Sequence, residues 1–342
     1  MSRQRLFGKT LDELSDITAA ASLPTYAARQ IAGWLYRREA PEISGMTDLS
    51  LAARSLLEKE WETGLTPPSS VASASDGTKK YLFGISDNRF IETAFIPDRD
   101  RATVCLSVQS GCRMGCHFCM TARQGFQGNL SSGDILNQFR SIPEHLSLTN
   151  IVYMGMGEPL DNFEEVMKSL EILTSEWGYG WSPSRITVST IGITDRIRDF
   201  LEGTRCHLAV SLHSPFDEER QALMPVQKAH PIKNALEVIR GYDFGRQRRI
   251  SFEYILFEGL NDTPAHVREL ARILNGIRCR INLIRFHAIP GSEYRSPDAK
   301  AMEAFRDHLN AKGITATIRA SRGEDIGAAC GLLSTLEQNK TR

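Results

Sequence analysis

The stretch Gly111-Cys112-Arg113-Met114-Gly115-Cys116-His117-Phe118-Cys119-Met120 constrains this 342-residue chain more than any other. Its cysteines follow the spacing C-x₃-C-x₂-C, and glycines precede the first two. Small residues let a backbone bend tightly enough for three sulfurs to face one centre. Thiolate sets of this kind hold iron–sulfur or zinc centres. Three thiolates leave one iron of a 4Fe–4S cube open to a substrate or cofactor, whereas structural sites are normally closed. Zinc with His117 as fourth ligand is the alternative, but ligation by the adjacent Cys116 and His117 strains a tetrahedral site. Disulfide staples do not suit a long chain with seven cysteines and no apolar leader.

The same spacing resembles that of the radical S-adenosylmethionine (SAM) superfamily, in which the open iron is chelated by SAM. Composition adds bounds. Apolar residues make up 41% and charged residues 24%, ordinary values for a globular protein with a large core. Met1 to Thr10 is not a signal peptide, and no uncharged apolar run reaches about 18 residues, so a cytoplasmic protein without membrane spans is expected. The 41 basic and 41 acidic residues cancel. An RNA partner therefore requires basic side chains gathered on one face.

The expected fold class is α/β: a partial (β/α) barrel with a small helical N-terminal accessory domain. Residues 1–65 read as the helical unit, with Ala27, Ile31, Trp34 and Leu35 on one face and Leu49, Leu56 and Leu57 on another. Arg29, Arg37, Arg38 and Arg54 fall on its polar faces. Thr66-Pro67-Pro68 marks a boundary, and 66–98 read as a β-hairpin connector turning at Ser86-Asp87-Asn88. From 99 to 342 the rhythm is strand, loop, helix. Strands are expected at 103–108, 150–153, 185–189, 207–211, 250–256 and 280–284, with helices such as 163–173 and 265–274 between them. About six β/α units in series imply a parallel sheet curled into a partial barrel. Ser296 and Pro297 are expected to open the last helix and Gly313 to end it.

Function in such barrels gathers at the carboxyl ends of strands. The cysteine loop follows the first strand. Gly157-Glu158-Pro159, Ser189, and Ser211-Leu212-His213 end the next three, so they read as a pocket. Cys206 and Cys279 read as core residues. Cys105 points with the polar set of its strand, and Cys330 sits among small residues that leave room near its sulfur.

Several segments together resemble the RlmN/Cfr family, radical-SAM methyltransferases of adenine in RNA. They are Ile91-Glu92-Thr93, Cys105 seven residues before Cys112, Gln124-Gly125-Phe126, Met154-Gly155-Met156-Gly157-Glu158-Pro159 and Val188-Ser189-Thr190. Ser211-Leu212-His213, Ile281-Asn282-Leu283-Ile284 and the run from Arg322 to Gly331 complete the set. The resemblance covers nearly the whole chain in order, and it implies a radical-SAM barrel holding a 4Fe–4S cluster on Cys112, Cys116 and Cys119. It implies SAM contacts at Gly157, Glu158, Ser189, Ser211, Leu212 and His213. His287 stands where the better-known members have Asn, as a further contact. It also implies two SAM per turnover, Cys330 as methyl carrier, Glu92 as base and Cys105 as the thiol that closes a transient disulfide. Gly157-Glu158-Pro159-Leu160 resembles the RlmN branch, which acts on carbon 2 of adenine in 23S rRNA and tRNA. Leu212-His213-Ser214-Pro215 and Ile284-Arg285 resemble the Cfr branch, which acts on carbon 8. An electron donor such as flavodoxin or ferredoxin is implied. The alternatives from other classes are a radical-SAM enzyme with a non-RNA substrate and a zinc-stabilised RNA-binding protein.

Overall fold

The computed structural model describes residues 3–38, 40–245 and 250–336. Its centre is one ten-stranded sheet whose spatial order follows the chain. The strands are β1 (Ser70–Ser73), β2 (Lys79–Ile85), β3 (Arg89–Asp98), β4 (Arg101–Cys105), β5 (Asn150–Tyr153), β6 (Ile186–Thr190), β7 (His207–Ser211), β8 (Ile250–Leu256), β9 (Cys279–Arg285) and β10 (Thr315–Ile318). From β4 to β10 every pairing is parallel. Strands β1 to β4 pair antiparallel, so the segment 66–98 carries on the same sheet as an edge.

The parallel part therefore holds seven strands rather than the six read from the sequence. The extra one, β10, is four residues long, too short to announce itself beside Gly313. The first barrel strand ends at Cys105 rather than Val108. The chain there leaves the ladder, and Ser107 instead bonds across to the Glu92 carbonyl. The crossovers are α6 (Phe163–Thr174), α7 (Thr194–Gly203), α9 (Ile232–Arg240), α10 (Pro264–Ile273) and α11 (Ala299–Ala311), with the shorter α8 (Asp217–Leu223) before α9. Each lays an apolar stripe on the sheet, such as Val166, Leu170 and Leu173 of α6. Helix α11 opens later than expected. Asp298 Oδ1 accepts from the Ala301 N–H at 2.8 Å and caps it, while Ser296 and Pro297 remain in the approach.

The N-terminal unit comprises α1 (Leu11–Ala20), α2 (Ala27–Tyr36) and α3 (Leu51–Leu57). A Thr10/Glu13 capping box starts α1. Ile31 and Leu35 are buried, whereas Leu56 is exposed: Leu57 alone of that pair faces inward, beside Leu49. The unit is pressed onto the barrel. Ser132 Oγ donates to the Gly8 carbonyl, Lys168 pairs with Glu13 at 2.9 Å, and the Tyr36 ring meets Trp177 and Tyr179. Helix α5 (Ser132–Arg140) lies beneath it and also anchors the proline break, through Asn137 bonding both ways with Thr66. Among the described residues no helix is long and apolar enough to cross a membrane.

Candidate active site

The cysteine loop leaves the mouth of the barrel after β4 and runs into the short α4 (Met120–Gln124), and its first turn is crowded. Gly111 has φ +70° and sits so close to the Gly125 carbonyl that a Cβ would collide with it. Cys112, Cys116 and Cys119 all border one cavity of about 230 Å³. Burial raises all three thiol pKa values, and the sulfurs raise one another's where they interact; Cys112 reaches about 12. Thiols that resist ionisation alone are ones that a metal must deprotonate. No group of three or more His, Cys, Asp or Glu side chains among the described residues closes on a single ion. Three cysteines around one cavity suit a polynuclear cluster, whose cysteines each hold a different iron. His117 is exposed and turned from the cavity, which removes the fourth ligand of the zinc alternative.

The strand ends bring the remaining groups round. At the end of β5, Gly157 has φ +95° and packs on Gln109, where a Cβ would come within 2.5 Å of the Gln109 Cβ. Gln109 Oε1 accepts from the Glu158 N–H at 2.9 Å. The Glu158 carboxylate accepts from the N–H groups of Leu160 and Ile191. Burial nevertheless lifts its pKa to about 7. Ser189 and Ser211 line the cavity from β6 and β7.

His213 follows β7 at φ +56°. Its Nδ1 accepts from the Ile255 N–H at 3.0 Å, which puts the ring proton on Nε2. Burial, with the nearby Arg220 charge, drops its pKa to about 3, so the imidazole is neutral. Asn261 holds the His213 and Ile255 carbonyls together, and Phe118 of the cysteine loop meets the ring edge to face at 4.9 Å.

His287 borders the same cavity. Its buried Nδ1 lies 3.4 Å from Glu324 Oε1 without hydrogen-bond alignment and has no other partner. Leu212 does not reach the cavity: its side chain is in the core and its N–H and carbonyl are engaged by Glu253 and Arg220. Glu92 also lies outside the wall. It pairs with Lys80 at 3.0 Å and accepts from the Ser334 N–H at 2.9 Å.

Cys105, the last residue of β4, and Cys330 also border the cavity and interact electrostatically. Burial first, then Cys330, pushes the Cys105 thiol up to about 12. The segment bearing Cys330 is pinned on both sides. Upstream, Asp76 accepts from the Gly323 N–H, Asp325 from the Ser75 N–H, and Arg322 pairs with Asp98. Downstream, Thr121 donates to the Leu333 carbonyl and Gln124 accepts from the Thr335 N–H.

Three charged residues here escaped the sequence reading. Arg319, just after β10, stands among Cys105, Cys330 and Glu253 and lowers the Cys105 pKa. Glu253, inside β8, is 4% exposed, and Arg220 of α8 is 0% exposed. In sequence, Glu253 and Arg220 look like outward charges; only the barrel's closure shows that they point inward.

These features define a radical SAM enzyme, and the radical SAM superfamily model matches residues 106–272. The chain is 43% identical over 338 residues to the "Dual-specificity RNA methyltransferase RlmN" of Syntrophus aciditrophicus, covering 98% of this chain and 97% of that protein. It is 56% identical over 335 residues to the "Probable dual-specificity RNA methyltransferase RlmN" of Parabacteroides distasonis, covering 98% of each. The solved radical SAM methyltransferase of Sphaerobacter thermophilus superposes with a TM-score of 0.89 at 40% identity, covering 96% of this chain and 99% of that one. The chain belongs to the RlmN/Cfr family of radical SAM RNA methyltransferases.

Proposed function

We propose that this enzyme methylates carbon 2 of an adenosine in 23S rRNA and of an adenosine beside the tRNA anticodon, through a methyl carried by Cys330. The observation that carries this reading is that Cys105 and Cys330, 225 residues apart in the chain, share one cavity with the three-cysteine loop. When bound, the 4Fe–4S cluster and two SAM per turnover supply a methyl group and a hydrogen-abstracting radical. Cys112, Cys116 and Cys119 would hold the cluster. Glu158 would accept from the ammonium of SAM, and Ser189, Ser211, His213 and His287 would bond its remaining polar groups.

Cys330 accepts the methyl as a thioether. After loss of one hydrogen atom, that carbon-centred radical adds to the electron-poor ring carbon and joins protein to RNA; the odd electron left on the adduct would return to the iron–sulfur cluster as the ring proton leaves. Glu92, whose carboxylate pairs with Lys80, takes the ring proton. The Cys105 thiolate then attacks the Cys330 sulfur. The S–C bond breaks, the carbon takes a proton to become the product methyl, and the two sulfurs form a disulfide. A low-potential protein such as flavodoxin or ferredoxin supplies electrons. An adenosine must leave its stack to enter so enclosed a cavity.

The test is nucleoside mass spectrometry of rRNA and tRNA from a deletion strain and from the strain complemented with this chain. The expected result is 2-methyladenosine in both RNAs, lost on deletion and restored on complementation. Restoration of 8-methyladenosine instead would assign the carbon 8 reaction, and unchanged RNA would overturn the reading.

A further inference from the structure

Arg220 is wholly buried, yet its guanidinium touches only neutral oxygens. Nε donates to the Leu212 carbonyl at 3.1 Å, and Nη2 donates to the carbonyls of Ile191 at 2.6 Å and Ser211 at 2.9 Å. Nη1 donates to Gln227 Oε1, and Gln227 in turn donates to Asp217 at 2.7 Å. Among the described residues no carboxylate is in contact with the guanidinium. Dipoles satisfy its N–H groups, and Asp217, reached only through Gln227, offsets its charge from a distance; a buried charge so weakly compensated is costly. A fold keeps such a group where an anion belongs.

The position of α8 says which anion. The Leu223 carbonyl at its end accepts from the His117 N–H at 3.0 Å, next to Cys116. Pro225, just beyond, packs against Gly115 on the other side of Cys116. Helix α8 is thus the seat of the cysteine loop, and it carries Arg220 within electrostatic reach of Cys116. The carbonyls it binds follow β6 and end β7, beside Ser189 and Ser211. Ile191 also donates to Glu158. One guanidinium therefore links the ends of β6 and β7 and faces the loop seated on α8.

We infer that Arg220 is a positioning residue of the cofactor site with two separable roles. It fixes the ends of β6 and β7 at the spacing SAM requires, and it supplies the positive charge that offsets the thiolate-held cluster beside Cys116. The inference rests on the cluster reading given above.

The two roles separate in two variants, each reconstituted anaerobically with iron and sulfide as full-length protein. Arg220→Gln removes the charge. At a fixed low potential its ratio of reduced to oxidised cluster, read by electron paramagnetic resonance, is expected to fall about tenfold, equivalent to about 59 mV for one electron. Arg220→Lys keeps the charge but cannot span three carbonyls. Its reduced fraction is expected to match wild type while its SAM dissociation constant, from equilibrium dialysis, rises about tenfold. A well-folded Arg220→Gln protein with wild-type reduction would overturn the charge role, and unaltered SAM affinity in Arg220→Lys would overturn the positioning role. If Arg220→Gln does not fold, Arg220→Lys decides alone: wild-type SAM affinity overturns the inference, and the expected pattern upholds it. Wild-type protein that binds no iron and sulfide would sink the cluster reading itself, an outcome distinct from a normal cluster that ignores Arg220.

Discussion

Arg319 and Glu253 approach to 3.8 Å but form no hydrogen bond, and Glu253 Oε2 has no other partner. Glu253 Oε1 is fully occupied by Asn282 and Ser251, which fixes the carboxylate. The arginine is thus shared between one carboxylate and two thiols. Arg319→Leu should leave Cys105 with a still higher pKa, because the cation that lowers it is gone. The expected outcome is slowed resolution of the protein–RNA adduct with little change in Cys330 methylation, followed by single-turnover quench. Equal slowing of both steps would assign Arg319 to substrate binding instead.

The outlying thiols should behave unequally. Cys330→Ala is expected to carry no methyl and yield no product. Cys105→Ala should methylate Cys330, add to the ring and stall as an adduct that survives denaturation. A denaturing gel with labelled RNA reads this directly, and adduct in the Cys330→Ala lane would reverse the roles.

The same chemistry has a pH signature. Cys105 titrates at about 12, so its thiolate fraction rises about tenfold per pH unit through the neutral range. Adduct resolution should climb with unit slope from pH 6.5 to 9 in rapid-quench experiments. A flat profile would show that another step limits release.

Glu158 makes a stability prediction. Its folded pKa of about 7 lies above the value of 4.5 for a free carboxyl. The protonated form is favoured in the fold, so its contribution is fully present below pH 4.5 and is lost as pH rises through 7. The loss amounts to roughly 3 kcal/mol. Thermal melts of cofactor-free Glu158→Gln should therefore lack this decline with pH. SAM should no longer stabilise it. Parallel melting curves for the two proteins would refute the assignment.

Arg29 and Arg38 are exposed on the N-terminal unit. Deleting residues 1–65 would strip the cover from Trp177 and Tyr179, so charge reversal is the cleaner experiment. Arg29→Glu with Arg38→Glu should weaken RNA binding and flatten its salt dependence while SAM cleavage persists. Unaltered RNA affinity would mean that the unit serves the barrel alone.

The barrel was largely legible because its alternation of apolar strands and punctuated helices is a local signal. Strands 150–153, 207–211 and 250–256 were read to the residue. Thr315–Ile318 was not, since four residues of which only Ala316 is buried carry little periodicity. The cysteine loop and the polar strand ends were visible because chemistry and spacing coincide in short windows. Arg220, Glu253 and Arg319 were not, because their meaning depends on the inward turn that the closed barrel gives them. Leu212, between Ser211 and His213, falls on the opposite face by the same alternation, and its side chain is in the core.

The double anchoring of the Cys330 segment reaches beyond a single turnover. With its flanks held by Asp76 and Asp98 on one side and by Thr121 and Gln124 on the other, the sulfur cannot diffuse away from Cys105. The two thiols see one another at a high effective concentration, so a disulfide between them resists dilution. Reactivation then falls to a thiol from outside. Cys105 is only 7% exposed, so that thiol must attack Cys330 and expel Cys105 as the leaving group. A leaving thiol that is hard to ionise departs slowly. Methylation by this enzyme would accordingly be paced by the reducing strength of its surroundings as well as by its supply of RNA.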